Sequence, residues 1–262
     1  MIELRLSFGE HKVRVELDSD RFSAFFRRSY APLPPNERTF DLSIRVSAGY
    51  GVSFAGYDVE AWTEDGATYY RRADYRIELA EDGRSASVQV HNELALKHAL
   101  MNLYSAYIIK HRWGLMIHSS CVLGQGGAAH LFAGRSGAGK STAAALSLPR
   151  TVLSDEAALV KIGTDRIAVF HSPFRSELET DGAPEGAFPL RSVQLLRQAG
   201  HNRKVELTKA DALIRLMDQV FCWERGAENT AKVLSMLRLL VLQVPAYELY
   251  FQKNDSFWEL IS

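Results

Sequence analysis

Apolar and polar residues alternate with period two along much of the first half of the chain. Ile2, Leu4 and Leu6 alternate with Glu3, Arg5 and Ser7, and Val13, Val15 and Leu17 resume the pattern after Gly9-Glu10. A strand with one face in the core has this period, so residues 2–17 predict a half-buried hairpin. Residues 21–30, with Phe22, Phe25 and Phe26, predict a short helix that Pro32, Pro34 and Pro35 end in a loop. Phe40, Leu42, Ile44 and Val46 predict another strand. Residues 51–66 are less regular, with Tyr57 and Trp62 expected on short strands. Tyr75, Ile77 and Leu79 then face Ala86, Val88 and Val90 across a turn containing Asp82-Gly83, a strong hairpin signal.

The period then changes. Leu96, Leu100, Leu103, Tyr104, Tyr107 and Ile108 recur at helical spacing, and Lys110, His111 and Arg112 supply the charge that a helix C-terminus prefers. Such an aromatic stripe is more often core than a base-stacking platform. Residues 115–123 and 128–133 predict two strands about a glycine turn at 124–127, and residues 142–148 predict a helix. Thr151, Val152 and Leu153 begin a short strand, and 159–162 with 167–170 predict a hairpin about Gly163-Thr164-Asp165. Glu177, Glu179, Asp181 and the glycines and prolines up to Pro189 predict a mobile acidic surface loop.

Residues 192–196 predict a strand. Thr208 and Asp211 form a capping box for a helix that buries Leu213, Leu216, Met217, Val220 and Phe221. A second helix from about Asn229 shows Val233, Leu234, Leu237, Leu240 and Val241 and is stopped by Pro245. A last strand at 247–251 follows, and Phe257, Trp258 and Ile261 pack the end.

Between the glycine hairpin and the short strand lies GRSGAGKST, residues 134–142, which fits G-x-x-x-x-G-K-[ST] through Gly134, Gly139, Lys140 and Ser141. Arg135, Ser136, Gly137, Ala138 and Thr142 complete the loop. Several inward N–H groups can hold one triphosphate, and only glycine reaches the required dihedrals cheaply. Lys140 adds a point charge between the outer phosphates, and the Ser141 hydroxyl can sit on magnesium. The loop therefore predicts ATP with Mg2+ as cofactors. The glycines at 124–127 do not have the strand and helix context of a dinucleotide fingerprint.

Three further features bear on this site. If the hairpin is symmetric about its turn, His118 lies opposite Ala133 and stands at the mouth of the nucleotide site; the alternative is a histidine packed in the sheet. Asp155 and Glu156 follow a strand end, where one can hold magnesium and the other accept a proton, or both can line a solvated turn. Arg175, in the loop His171-Ser172-Pro173-Phe174-Arg175, contacts nucleotide or substrate or belongs to a structural turn.

Composition narrows the partners. The 262 residues carry 31 basic and 31 acidic side chains, so no general nucleic-acid or anionic-membrane surface is indicated. Cys121 and Cys222 lack metal-ligand spacing and read as thiols of a reducing compartment. Glu3 and Arg5 argue against a signal peptide, and the apolar run 234–246 is broken by Arg238, Gln243 and Pro245. A cytoplasmic protein with no membrane partner is expected.

The hairpin histidine, GRSGAGKST and the acidic pair in LSDE together resemble the HPr kinase and phosphoenolpyruvate carboxykinase type of phosphate-loop enzyme over residues 113–262, with SPF at 172–174 a further cue. The resemblance implies an α/β, mixed and strand-rich fold: a phosphate-loop kinase domain at 113–262 behind a β-rich region at 1–112 that ends in one helix. It implies ATP phosphates on residues 134–142, magnesium at Ser141 and Asp155, a proton-handling carboxylate at Glu156, and, besides catalytic Lys140, a catalytic or phosphate-sensing role for His118. Arg135 stands where these kinases usually have an acid, and Glu156 where they have a second aspartate. Their downstream signature is not evident. Residues 1–112 leading into MIHSSCV look more like lasso-peptide precursor kinases, which phosphorylate a C-terminal serine of a peptide. An ATP-dependent serine kinase acting on such a peptide is the resulting expectation. An HPr-type protein kinase, a small-molecule kinase and a non-catalytic ATP-binding regulatory module stay open. The family forms rings, so a homo-oligomer is among the partners to expect, although no apolar stretch of the sequence calls for one.

Overall fold

The computed structural model describes residues 1–176, 184–224 and 226–261. The chain divides into two compact units, Met1–His111 with Cys222–Gly226, and Arg112–Phe221 with Ala227–Ser262.

The first unit is a sheet with two helices. Its strands are β1 (Ile2–Phe8), β2 (His11–Leu17), β3 (Ala31–Pro32), β4 (Leu42–Ala48), β5 (Glu60–Glu64), β6 (Ala67–Arg72), β7 (Tyr75–Leu79) and β8 (Ser85–Val90). They lie in the order β3-β1-β2-β4-β8-β7-β6-β5. The period-two runs are the reason: in β1 and β2 every second residue from Leu4 and from Val13 is buried while its neighbours are not. The Asp82-Gly83 hairpin has Leu79 opposite Ala86 and Tyr75 opposite Val90. Trp62 lies on β5, whereas Tyr57 is exposed and lies on no strand. Helix α1 (Ser23–Ser29) is short. Helix α2 (Glu93–Lys110) starts where the Asn92 side chain accepts the Ala95 N–H and buries Leu96, Leu100, Leu103, Tyr104 and Ile108.

The second unit is organised by strand closure. Its strands are β9 (Gly114–Leu123), β10 (Ala129–Ala133), β11 (Val152–Ser154), β12 (Ala157–Ile162), β13 (Ile167–Phe170), β14 (Ala187–Gln198), β15 (Arg203–Glu206) and β16 (Ala246–Phe251). Successive pairings run β10-β9-β12-β13-β14, and β14 pairs back onto β10, so five strands close on themselves. Besides β10, strand β14 carries two partners in turn. Ala187–Pro189 pair with β13, and Val193–Gln198 pair with β16, which continues the sheet to β15. Strands β9 through β13 are buried on nearly every residue, which explains their continuous apolar runs. Helices α3 (Lys140–Leu146), α4 (Lys209–Met217), α5 (Ala227–Gln243) and α6 (Trp258–Ile261) complete the unit.

The expected α/β phosphate-loop kinase domain of the HPr kinase and carboxykinase type is corrected by this closure. The unit is a five-strand barrel extended by a sheet. The local pattern at strand, glycine loop and helix start carries no information on which strand, some sixty residues on, pairs with β10. Two smaller readings also change. Met217 is exposed, not part of the buried face of α4, and residues 187–189 lie on β14 instead of a loop. Residues 177–183 of the expected acidic loop lie outside the described residues.

Strand β9 pairs with β10, β11 and β12, and its first residue leaves no room for a side chain. A Cβ on Gly114 would stand 2.1 Å from the Val160 carbonyl oxygen. Gly114→Ala is expected to destabilise the protein by about 2 kcal/mol or more through forced separation of β9 and β12, read as a lower thermal midpoint.

Candidate functional site

The hairpin of β9 and β10 leads directly into the loop at 134–142. Ala133 ends β10 opposite Ser119, not opposite His118 as a symmetric turn predicts. The turn holds one more residue than expected, because Leu123 pairs with Ala129 and residues 124–128 form the connection. One step of register moves a side chain to the other face. His118 therefore shares a face with Ser120 and Val122 instead of with Ala133. That is the face against which α3 packs, since Val122, Phe132, Ala143 and Ala144 form one buried cluster.

The loop itself is held by residues far away in sequence. Ser120 Oγ donates to the Lys140 carbonyl at 2.9 Å, and Gln198 Nε2 donates to the Gly137 carbonyl at 2.7 Å. Gly137 has φ 77° and Gly139 φ 104°, conformations that disfavour any residue with a Cβ. At Gly139 a Cβ would also stand 2.6 Å from the Phe251 ring. Among the described residues, the N–H groups of Gly137, Gly139, Lys140, Ser141 and Thr142 find no acceptor in the chain. Lys140 is 8% exposed, and its Nζ donates to the Gly134 carbonyl at 2.9 Å and the Arg135 carbonyl at 3.3 Å. Burial lowers its pKa. A buried cation beside turned-in amides fits a polyphosphate, and the exposed Ser141 hydroxyl fits a magnesium ligand. Arg135 and Ser136 are exposed on the outer rim, and Ala138 packs within 2.9 Å of where a Gly134 Cβ would be.

The far end of α3 is clamped as firmly. Trp258 Nε1 donates to Ser147 Oγ, which donates to the Ala143 carbonyl, and Arg150 lies 4.3 Å from the Trp258 ring centre.

His118 is half-buried, its ring 5.4 Å from that of Phe221 and its N–H on the Gln219 carbonyl at 2.7 Å. Burial, then the charge of Lys140, takes its pKa down to about 4. The imidazole is thus neutral near pH 7 and lies within the field of Lys140. Asp155 is 2% exposed at the end of β11, and its two oxygens accept the Ser176 N–H at 3.1 and 3.2 Å. Arg175 lies near it: the guanidinium donates to the Val152 carbonyl at 2.8 Å and contacts His171 Nε2 at 2.7 Å, and the Asp155 carboxylate raises its pKa against the larger lowering by burial. The segment after β13 comes to Asp155 because the Ser172 N–H donates to the Leu153 carbonyl, extending β11 sideways. Glu156 is half-buried between β11 and β12, and its carbonyl accepts the Ser119 N–H at 3.1 Å.

The structure thus brings His118 to the Lys140 side of the sheet and brings Arg175 to Asp155. Among the described residues no group of three or more His, Cys, Asp or Glu side chains forms a metal cage, so a cation here would rely on Ser141, a carboxylate and phosphate oxygens. Sequence reasoning missed Ser120, Ser176, Gln198 and Phe251. The pair Ser119-Ser120 inside an apolar strand was the one available signal; the others depend on long-range pairing.

A family profile described as SynChlorMet cassette protein ScmC matches residues 84–262, so the chain belongs to the ScmC family. No curated protein matches the chain. This finding replaces the resemblance to HPr kinases, carboxykinases and lasso-peptide precursor kinases: a phosphate loop with a nearby acid pair occurs on many scaffolds, and the profile spans most of the chain. Among the described residues no helix is long and apolar enough to cross a membrane.

His98, His118, His130 and His171 all have pKa values taken down to about 4, in each case first by burial. The unfolded chain binds these protons near the ordinary value of 6.5, so between about pH 6.5 and 4 the unfolded state holds more protons. Stability is expected to fall as pH falls through that window, with a thermal midpoint at pH 5 on the order of 5 °C or more below that at pH 7. Differential scanning calorimetry at the two pH values checks this.

Proposed function

We propose that this ScmC-family protein is an ATP-dependent kinase that transfers a phosphoryl group to a serine hydroxyl of a peptide. The observation that carries the reading is the buried Lys140 Nζ resting on its own loop carbonyls beside N–H groups without acceptors. An anion is the partner that such an arrangement accommodates, and the motif specifies a nucleotide polyphosphate.

The loop amides of residues 134–142 and Lys140 bind the phosphates of ATP. Ser141 and Asp155 would hold magnesium, which would neutralise charge on the outer phosphates. The remaining work is positioning. Glu156 orients the serine hydroxyl and takes its proton as the serine oxygen bonds to the terminal phosphorus and the bridging bond to the β-phosphate breaks. His118, neutral and beside Lys140, donates or accepts a hydrogen bond without adding charge. Arg175 supplies positive charge near Asp155.

The test is incubation with magnesium ATP and serine-containing peptides, read by mass spectrometry. Phosphate mass on peptide supports the reading, whereas ATP uptake without phosphate leaving the nucleotide favours a binding module. Lys140→Ala is expected to lose both tight ATP binding and transfer. Glu156→Gln is expected to retain ATP binding and lose on the order of 10² to 10⁴ in rate. Asp155→Asn with full activity would overturn the magnesium assignment.

A further inference from the structure

Closure of the barrel leaves strand β15 as an open edge. Strands β9, β12, β13, β14 and β10 pair on both sides, and β11 is flanked by β9 and by the segment at Ser172. Strand β15 pairs with β16 along one side, and all four of its residues are exposed. The hydrogen-bond phase of this edge follows from one contact. The Leu207 N–H donates to the Ala246 carbonyl at 2.9 Å, so Val205 and Arg203, two and four residues earlier, also face β16. Lys204 and Glu206 therefore turn their N–H and C=O groups outward, and among the described residues these find no partner in the chain.

The edge is basic. Arg203 lies 4.4 Å from the Tyr250 ring centre, and Lys204, 4.8 Å from that of Tyr247, donates through its Nζ to the Leu260 carbonyl, so both charges are held against the second unit's own residues at this edge. Arg197 and Arg215 both donate to Glu248 Oε1 at 2.6 Å, and Tyr250 donates to Oε2 at 2.8 Å. These four cations stand against the carboxylates of Glu206 and Glu248, which leaves a positive excess. The edge also ends beside the phosphate loop. Arg203 pairs with Tyr250, next to Phe251, whose ring lies under Gly139.

We infer that β15 receives an extended acidic peptide as an added strand, and that this peptide carries the serine acceptor. The identity of the peptide as acceptor rests on the kinase reading above; the edge binding does not. A strand added to β15 lies about 10 Å from β16, two strand spacings, and its continuation past Arg203 leads toward the Phe251 and Gly139 side of the loop. Main-chain bonds at Lys204 and Glu206 supply affinity, and acidic side chains facing the arginines select the partner.

The probe is a capped, fluorescein-labelled peptide of alternating valine and aspartate, titrated with full-length protein and read by fluorescence anisotropy. Glu206→Pro removes the outward N–H and also one negative charge. Charge alone would tighten an acidic peptide, so a loss reports the edge. Binding about tenfold weaker in Glu206→Pro and unchanged or tighter in Glu206→Gln supports the inference. If Glu206→Pro does not fold, the same peptide N-methylated at alternate amides makes the comparison on the unaltered protein. Equal binding of the methylated peptide, equal binding by folded Glu206→Pro, or no saturable binding below millimolar protein overturns it. So does a dimer in sedimentation that Glu206→Pro dissociates, because the edge then belongs to a second copy. ATP binding is titrated separately, so failure of the kinase reading and failure of the edge are told apart.

Discussion

The parallel pairing of β10 with β14 is the constraint on which the second unit depends. Ala133 is aligned with Leu195. That alignment turns five strands into a closed barrel and lays the end of β14 beside the loop that follows β10. A barrel edge is thereby removed, and with it a row of backbone groups that would otherwise need partners. The same pairing makes β14 long, because its second half must also carry β16. The loop consequently rests on two strand ends at once: Gln198 of β14 bonds the Gly137 carbonyl, and Phe251 of β16 closes against Gly139.

Rigidity at the loop is therefore imported from residues 61 and 112 positions away. Gly139 carries a positive φ that costs a non-glycine residue on the order of 1 kcal/mol or more, and the Phe251 ring occupies the space a Cβ would need. Both restrictions point the same way, so the loop conformation is over-determined. Ser120 adds a third hold by bonding the Lys140 carbonyl from inside the hairpin. The Trp258, Ser147 and Ala143 chain holds the other end of α3. A site whose backbone is fixed from several sides can present N–H groups without reorganising when an anion arrives, which is the economy that electrostatic preorganisation requires.

What the sequence disclosed follows the range of the physics involved. The hairpins at 2–17 and 75–90, the helix at 93–110 and the glycine loop depend on neighbours within a few residues, through periodicity, turn chemistry and positive φ. Those were legible. The face of His118 was not, although it lies only fifteen residues from Ala133, because one extra turn residue inverts it. Barrel closure was not legible either, since residues 129–133 and 190–195 meet across most of the unit, and with it went the kinase-domain resemblance. Arg175 was visible as a cation in a loop, but its nearness to Asp155 requires the segment after β13 to return to β11. The exposed edge of β15 had no sequence signal, because Arg-Lys-Val-Glu reads as an ordinary polar stretch.

Charge in the site is distributed with some economy. Asp155, buried at the strand end, has the Arg175 guanidinium near it and the Ser176 N–H on its oxygens. Lys140 is buried too, yet among the described residues its Nζ partners are the neutral carbonyls of Gly134 and Arg135. Burial shifts it toward deprotonation, a shift that an anion at the loop would oppose by supplying negative charge. His118 next to it is held neutral by burial and by Lys140 itself. A protonated imidazole there would compete for the same anion and raise the cost of the unliganded state. With the ring neutral, the loop's two cations are the buried Lys140 ammonium and the exposed Arg135 guanidinium, and it is the buried one whose charge an anion at the loop amides would compensate.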